Sequence, residues 1–218
     1  GNGVESDRIN DDYNAPRIDK GVKASAVLDE PYKEEQRKNG LIYSGLFNST
    51  SGVNKLNQFI MGEAITKDLN PHYGSIQKLH ARNTDLIVLC EDKCLKVLAN
   101  KDALFEASGN PQLTATNRVL GQSIPFIGEY GISLNPESFA SYAYRCYFVD
   151  KSRGAVIRLS RDGLTAISEH GMRDFFKDTL PSSTLILGSY DGSKGLYNLT
   201  LNNQTVSFDE KVRGFSSF

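Results

Sequence analysis

The chain has 218 residues, with 25 Lys and Arg against 26 Asp and Glu, a formal net charge of -1. That length buries a real core in one domain or a domain with an appendage, and the near-neutral balance advertises neither a nucleic acid, nor an anionic membrane, nor a polycationic partner. Hydrophobic residues at 39% and aromatics at 10% exclude a wholly disordered chain, and no apolar run approaches the ~20 residues that span a bilayer.

Residues 1–40 read as an extended polar arm or linker. The first thirty are charged, Asn-rich and aperiodic, with no continuous apolar run of the signal-peptide kind. Pro31 to Gly40, PYKEEQRKNG, is charged on every side and places Glu34 four residues before Lys38, a spacing for a solvated helical turn or two. From residue 41 to 218 the pattern becomes β-rich. LIYSGLF (Leu41 to Phe47), DLIVLC (Asp85 to Cys90), CLKVLA (Cys94 to Ala99) and SYAYRCYFV (Ser141 to Val149) each read as a strand bounded by polar turns.

Two short helices are expected. KDALFEAS, with Asn100 as N-cap and Gly109 past its end, has room for two turns. MRDFFKD, Met172 to Asp178, sets Met172, Phe175, Phe176 and Leu180 on one face as a core stripe before Pro181 ends it. Asn110 to Pro136, rich in Gly, Pro, Asn and Gln, reads as a long loop excursion.

The C-terminal part is dense in hairpins. AVIRLS follows the turn Lys151-Ser152-Arg153-Gly154, where Gly154 supplies positive φ for a type I turn plus bulge, and LTAIS follows a tight reversal at Asp162-Gly163. LILGSY leads through Asp191-Gly192-Ser193-Lys194-Gly195 into GLYNLTL, whose Leu196, Asn198 and Thr200 face away from Tyr197, Leu199 and Leu201. Asn202-Asn203 suits a two-residue turn into QTVSFDE, with Val206 and Phe208 inward, and a last strand begins near Val212.

Three hairpins share one grammar: an apolar strand, an acidic residue at its end (Asp92, Asp150, Asp191), a polar turn with Lys, and a second apolar strand. The acidic residues lie 58 and 41 positions apart, which matches the spacing of propeller blades once an insertion after Ala99 is allowed. The expected fold is mainly β: antiparallel β-propeller-like blades, about three with a partial one, forming an incomplete propeller or arc with short helices.

Chemistry-bearing motifs are scarce. There is no G-x-S-x-G, H-E-x-x-H, Walker A or post-strand G-x-G-x-x-G. Cys90, Cys94 and Cys146 are an odd, sparse set that argues against a disulfide scaffold, and the C-x3-C pair has no second pair or His-x3-His to close a zinc site. Cys90 and Cys94 read as small apolar strand residues flanking a turn at Glu91, Asp92 and Lys93. The acidic neighbours Glu91/Asp92 and Asp209/Glu210 lack the cleft-spanning geometry of glycoside hydrolysis, and His170, at a strand-to-helix junction, reads as a capping histidine. Tyr142, Tyr144, Arg145 and Tyr147 interleave base and aromatic as single-stranded nucleic-acid binders do. Strand alternation would divide them, Arg145 and Tyr147 on one face and Tyr142, Tyr144 and Cys146 on the other, which is ordinary strand patterning. With sixteen asparagines, the sequons at Asn48, Asn198 and Asn203 are expected by chance. No catalytic, cofactor-binding or metal-ligating residue is assigned, and no cofactor.

The run from ITKDLNPHYGSIQKLHARNTDLIVLCEDKCLKVL through YGISLNPESFASYAYRCYFVDKSRGAVIRLSRDGLTAISEHGMRDFF resembles the tail structural proteins of short-tailed, crAss-like bacteriophages, the stabilization or muzzle proteins. GVKASAVLDEPYKEEQRKNGLIYSGLF and YNLTLNNQTVSFDEKVRGFSSF resemble flanking parts of that family, so the likeness covers nearly the whole chain after about Lys20. A weaker likeness extends to podovirus tail hub and nozzle proteins. The resemblance implies a β-propeller and a non-enzymatic virion role: a homo-oligomeric ring at the tail, made in the bacterial cytoplasm, that contacts other tail proteins, helps retain packaged DNA and forms its exit channel. Transient contact with packaged DNA is expected from the same likeness, and no membrane insertion by this segment is expected from its lack of a long apolar run. Family members are longer, and the chain starts without Met, so a segment truncated at its C-terminal side is expected. The rival expectations are a propeller-type glycan-binding or glycan-processing tail protein and a soluble propeller scaffold of the host.

Overall fold

The computed structural model describes residues 37–45, 47–59, 65–82, 85–105 and 111–217. The chain is mainly β, with five antiparallel sheets among the described residues, none closed on itself. It divides into two compact units, one of residues 1–69 with 99–121, the other of residues 70–98 with 122–218. Residues 1–36 of the expected N-terminal arm, Glu34 of the expected ion pair included, lie outside the described residues.

In the first unit, β1 (Gly40–Ile42) pairs with β4 (Thr66–Asp68), and β2 (Phe47–Asn48) pairs with β3 (Val53–Asn54). Asn48 caps the β2–β3 turn by accepting from the Thr50 and Ser51 amides. The expected single strand Leu41 to Phe47 is thus two, because its two ends are paired to different partners.

Three four-stranded meanders follow, of which the second and third lie wholly in the second unit and the first only in part. The first comprises β5 (Ile76–Arg82), β6 (Asp85–Cys90), β7 (Cys94–Phe105) and β8 (Pro111–Pro125), in that order. The second comprises β9 (Ala140–Tyr142), β10 (Arg145–Asp150), β11 (Ala155–Ser160) and β12 (Gly163–Ala166). The third comprises β13 (Ile186–Asp191), β14 (Leu196–Leu201), β15 (Gln204–Asp209) and β16 (Gly214–Ser217). Residues 99–121, the distal parts of β7 and β8, belong to the first unit.

Alternation in β10 and β11 decides how the three sheets stack. Cys146, Phe148, Ala155, Ile157 and Leu159 join Ile87, Leu89 and Cys94 of the first sheet in one core cluster. Tyr147, Val149 and Val156 point the other way and join Tyr197, Leu199, Leu201, Val206 and Phe208 of the third sheet in another. The middle sheet is therefore apolar on both faces, which is why RCYFVD and AVIRLS read as near-continuous apolar runs. The helix α1 (Arg173–Ser182) adds Phe176 and Leu180 to the second cluster, with Met172 and Phe175 packed against it, as the spacing of its apolar residues requires.

Each sheet junction is pinned by a close backbone approach beside a buried polar group. At the first, a Cβ on Gly131 would lie 2.0 Å from the Glu91 carbonyl oxygen, so no other residue fits. The Gly131 amide and Ser133 hydroxyl donate to the fully buried Asp150 carboxylate, each at 3.1 Å, and Arg153 Nη1 donates to it at 2.9 Å. At the second, a Cβ on Gly188 would lie 1.9 Å from the Ser138 carbonyl oxygen, which accepts the Tyr197 hydroxyl at 2.8 Å.

The turns follow their chemistry. Gly154 has φ 64°, Gly163 has φ 101° and Asn202 has φ 51°. Asp150 and Asp191 share one task, since each accepts from a backbone amide three residues on, Arg153 or Lys194. The shared grammar does not mark one position in each sheet, however: the first two hairpins join the second and third strands, and the last joins the first and second.

Several expectations are corrected. KDALFEAS is not helical: Lys101 to Phe105 continue β7. Two isolated helical turns cost nucleation without an apolar face to repay it, whereas the neighbouring β8 offers a ladder. The region from Asn110 to Pro136 is not one loop, because β8 runs from Pro111 to Pro125. Helix α1 includes Pro181 and stops one residue later at Ser182, because the proline has no N–H to donate back to the preceding turn. SYAYRCYFV is not one strand but a hairpin, with a consequence for the site below.

Candidate functional site: a tyrosine ladder beside a basic groove

The β9–β10 connection is a two-residue turn at Ala143 and Tyr144, with Ala143 at φ 51°. Turning there pairs Arg145 with Tyr142 and Tyr147 with Ala140, so Tyr142, Arg145 and Tyr147 share a face. Arg158, directly across from Tyr147 on β11, joins the same face, as does Ser160 two residues on.

On that face four tyrosines from the second and third sheets form a ladder. Tyr142 stacks on Tyr190 with centroids 4.5 Å apart, Tyr190 on Tyr147 at 5.6 Å, and Tyr147 on Tyr197 at 4.9 Å, with interplanar angles of 14°, 21° and 14°. The ladder runs from solvent inward: Tyr142 is 45% exposed, Tyr147 and Tyr197 not at all. Rings held this way contribute about 0.5–1.5 kcal/mol per pair beyond their buried area. The Tyr147 hydroxyl donates to Glu210 Oε1 at 2.6 Å, and Glu210 Oε2 accepts from Arg158 Nη1 at 2.8 Å. Burial pushes the Tyr147 phenol far above its ordinary range, and the Glu210 carboxylate pushes it further. Burial alone does the same to Tyr197. Both phenols stay neutral donors.

Beside the ladder, the β9–β10 and β11–β12 turns wall a groove of about 420 Å³ lined by Tyr142, Tyr144, Arg145, Arg158, Ser160 and Arg161, with Ala143 and Asp162. Arg145, Arg158 and Asp162 also line an adjoining hollow with Thr165, His170, Phe208, Glu210, Lys211 and Arg213. The guanidinium carbons of Arg82 and Arg161 lie 4.4 and 4.6 Å from the Tyr144 ring centroid. Among the described residues, Arg158 Nε and Ser160 Oγ of the lining are buried without a hydrogen-bond partner, as are Nε and Nη1 of Arg82, which lies against the Tyr144 ring. Buried donors are nearly always paired, so their concentration around one groove is unusual.

Arg145 and Tyr147 share a face, as strand alternation requires, and Tyr142, which alternation along a single strand puts on the opposite face, joins them because the chain turns at Ala143–Tyr144. Arg158, Ser160, Tyr190, Tyr197 and Glu210 escaped sequence reading because nothing local ties them, Glu210 lying 63 residues from Tyr147. Cys90 and Cys94 are buried strand residues flanking the β6–β7 turn, and burial raises the Cys90 and Cys146 thiols to about 11. Glu91 accepts from the Ser75 amide and hydroxyl, Asp92 pairs with Arg153, and Asp209 accepts from the Lys211 amide. His170 closes a 3-10 turn, Ile167–Glu169, and lies 6.2 Å from the Phe208 ring. Among the described residues no group of three or more His, Cys, Asp or Glu is placed to hold a metal. Neither a protein-family model nor a curated protein matches the chain.

Proposed function

We propose that the chain is a structural component of a bacteriophage tail, part of a ring of subunits at the nozzle or muzzle that helps retain packaged DNA and form its exit channel. The observation that carries this reading is the stack of four-stranded meanders in the second unit, the middle one apolar on both faces. We read these sheets as propeller-like blades in an open arc, the architecture that the sequence resemblance implies. Such a stack is a stiff wall, and its hairpin ends are free to contact neighbouring subunits and other tail proteins.

The charge distribution supports the same role. A chain of net charge -1 suits a DNA channel only if its cations are gathered locally, and Arg145, Arg158, Arg161, Lys211 and Arg213 line two adjoining hollows. The role is non-enzymatic: Glu210, one of the two carboxylates on the walls, is held by Tyr147 and Arg158 and is not poised as a free acid. That arrangement also weighs against glycan processing. The test is an amber mutation in the reading frame of the source phage. Particles grown without suppression should lose packaged DNA to nuclease while capsids still assemble; fully infectious, nuclease-resistant particles would refute the role.

A further inference from the structure

We propose that the groove between the β9–β10 and β11–β12 turns binds phosphate oxyanions, as presented by the backbone of single-stranded nucleic acid. Arg145, Arg158 and Arg161 line it, and Asp162 is the single carboxylate on its wall. Ser160 is 8% exposed and its hydroxyl has no partner; Arg158 spends Nη1 on Glu210 and leaves Nε unpaired. Unfilled donors on the wall of a cationic groove are completed by a ligand rich in acceptors, and a phosphate oxyanion accepts several charge-assisted hydrogen bonds at once.

The aromatic groups select among oxyanions. Tyr142, 45% exposed at the mouth of the ladder, offers the open ring on this wall, and Tyr144 beside it carries the Arg82 and Arg161 guanidiniums against its own ring. A carboxylate partner makes no use of them, whereas a nucleic-acid strand places bases between its phosphates and stacks them on such rings. Guanidinium groups match phosphate in a planar, two-point fashion that ammonium groups do not, which fits three arginines without a lysine on this wall. The groove's chemistry is independent of whether the chain belongs to a phage tail, so the two readings fail separately.

The test is fluorescence anisotropy of labelled oligothymidylate with the full chain at low salt, alongside calorimetric titration with inorganic phosphate. Arg145→Ala/Arg161→Ala should weaken binding tenfold or more and reduce the slope of log affinity against log salt by roughly 1.4, the loss of two single-strand phosphate contacts. Arg145→Lys/Arg161→Lys should recover most of the salt dependence, and Arg173→Ala, on the exposed surface of α1, should bind as the parent. Should the double alanine variant not fold, Arg145→Ala alone, whose side chain is exposed, reads the same loss at about threefold. Phosphate binding with the same arginine dependence but no oligonucleotide binding would assign the site to free phosphate. Binding of neither ligand, undiminished binding by the alanine variants, or an equal loss in Arg173→Ala overturns the proposal.

Discussion

The middle and third sheets of the second unit have the same four-stranded plan and opposite outer chemistry. In β10 and β11 successive residues enter different cores, so Phe148 and Tyr147 are both fully buried though they point apart. In β14 and β15 only one set is apolar: Tyr197, Leu199, Val206 and Phe208 pack inward. Their neighbours satisfy one another on the other face, Ser207 donating to Asn198 at 2.6 Å and Thr200 lying 3.0 Å from Thr205. Those pairs are directly opposed in the ladder, which makes the polar face a set of matched cross-strand partners. A sheet that presents apolar residues on both faces needs a neighbour on each side; one with a self-satisfied polar face does not.

The largest test of this contrast is in the two cores. Phe148→Ala and Tyr197→Ala should each cost about 3–5 kcal/mol in urea unfolding, as truncating buried aromatics does. Thr205→Ala, which removes one hydroxyl pair from the polar face, should cost about 1 kcal/mol or less, the net worth of one hydrogen bond, whereas Asn198→Ala strands the buried Ser207 hydroxyl and should cost about 1–3 kcal/mol. Equal losses for Tyr197→Ala and Thr205→Ala would break the distinction. Next comes the first junction: Asp150→Ala strands the Gly131 amide, the Ser133 hydroxyl and Arg153, and should cost about 2–3 kcal/mol by the same measurement. A loss below half a kcal/mol would show that the junction does not depend on the carboxylate. Gly188→Ala, at the second junction, should cost about 1–3 kcal/mol, because the added methyl meets the Ser138 carbonyl.

The smallest expected effect is a pH dependence at the edge of the first sheet. Burial, with help from Arg82 and Lys78, holds the His80 imidazole below its ordinary 6.5. The unfolded chain then binds a proton more readily than the folded one, so stability is full above pH 6.5 and declines as pH falls toward the lowered folded value. His80→Gln should remove that increment from the difference between unfolding at pH 7.5 and 5.5. An unchanged difference would contradict it.

Much of the second unit was legible because its pattern is local. The alternation of GLYNLTLNNQTVSFDE encoded β14, its two-residue turn and β15, and the stripe in MRDFFKD encoded the buried face of α1. What escaped is set by partners distant in sequence. KDALF carries weak preferences of either kind, and its strand state depends on β8. At Tyr142-Ala143-Tyr144-Arg145 there is no Gly, Asn or Asp to mark the turn, since Ala143 takes the left-handed conformation itself. Missing that turn shifts a strand reading by one face and hides the tyrosine ladder, which is why the site was less legible than the fold.

The proposed place of this protein in a virion tail is open to direct test by mass spectrometry of density-purified phage particles. Peptides of this chain are expected in intact particles, at a fixed ratio to the other tail proteins. Their confinement to the soluble lysate, with none in purified particles, would contradict it.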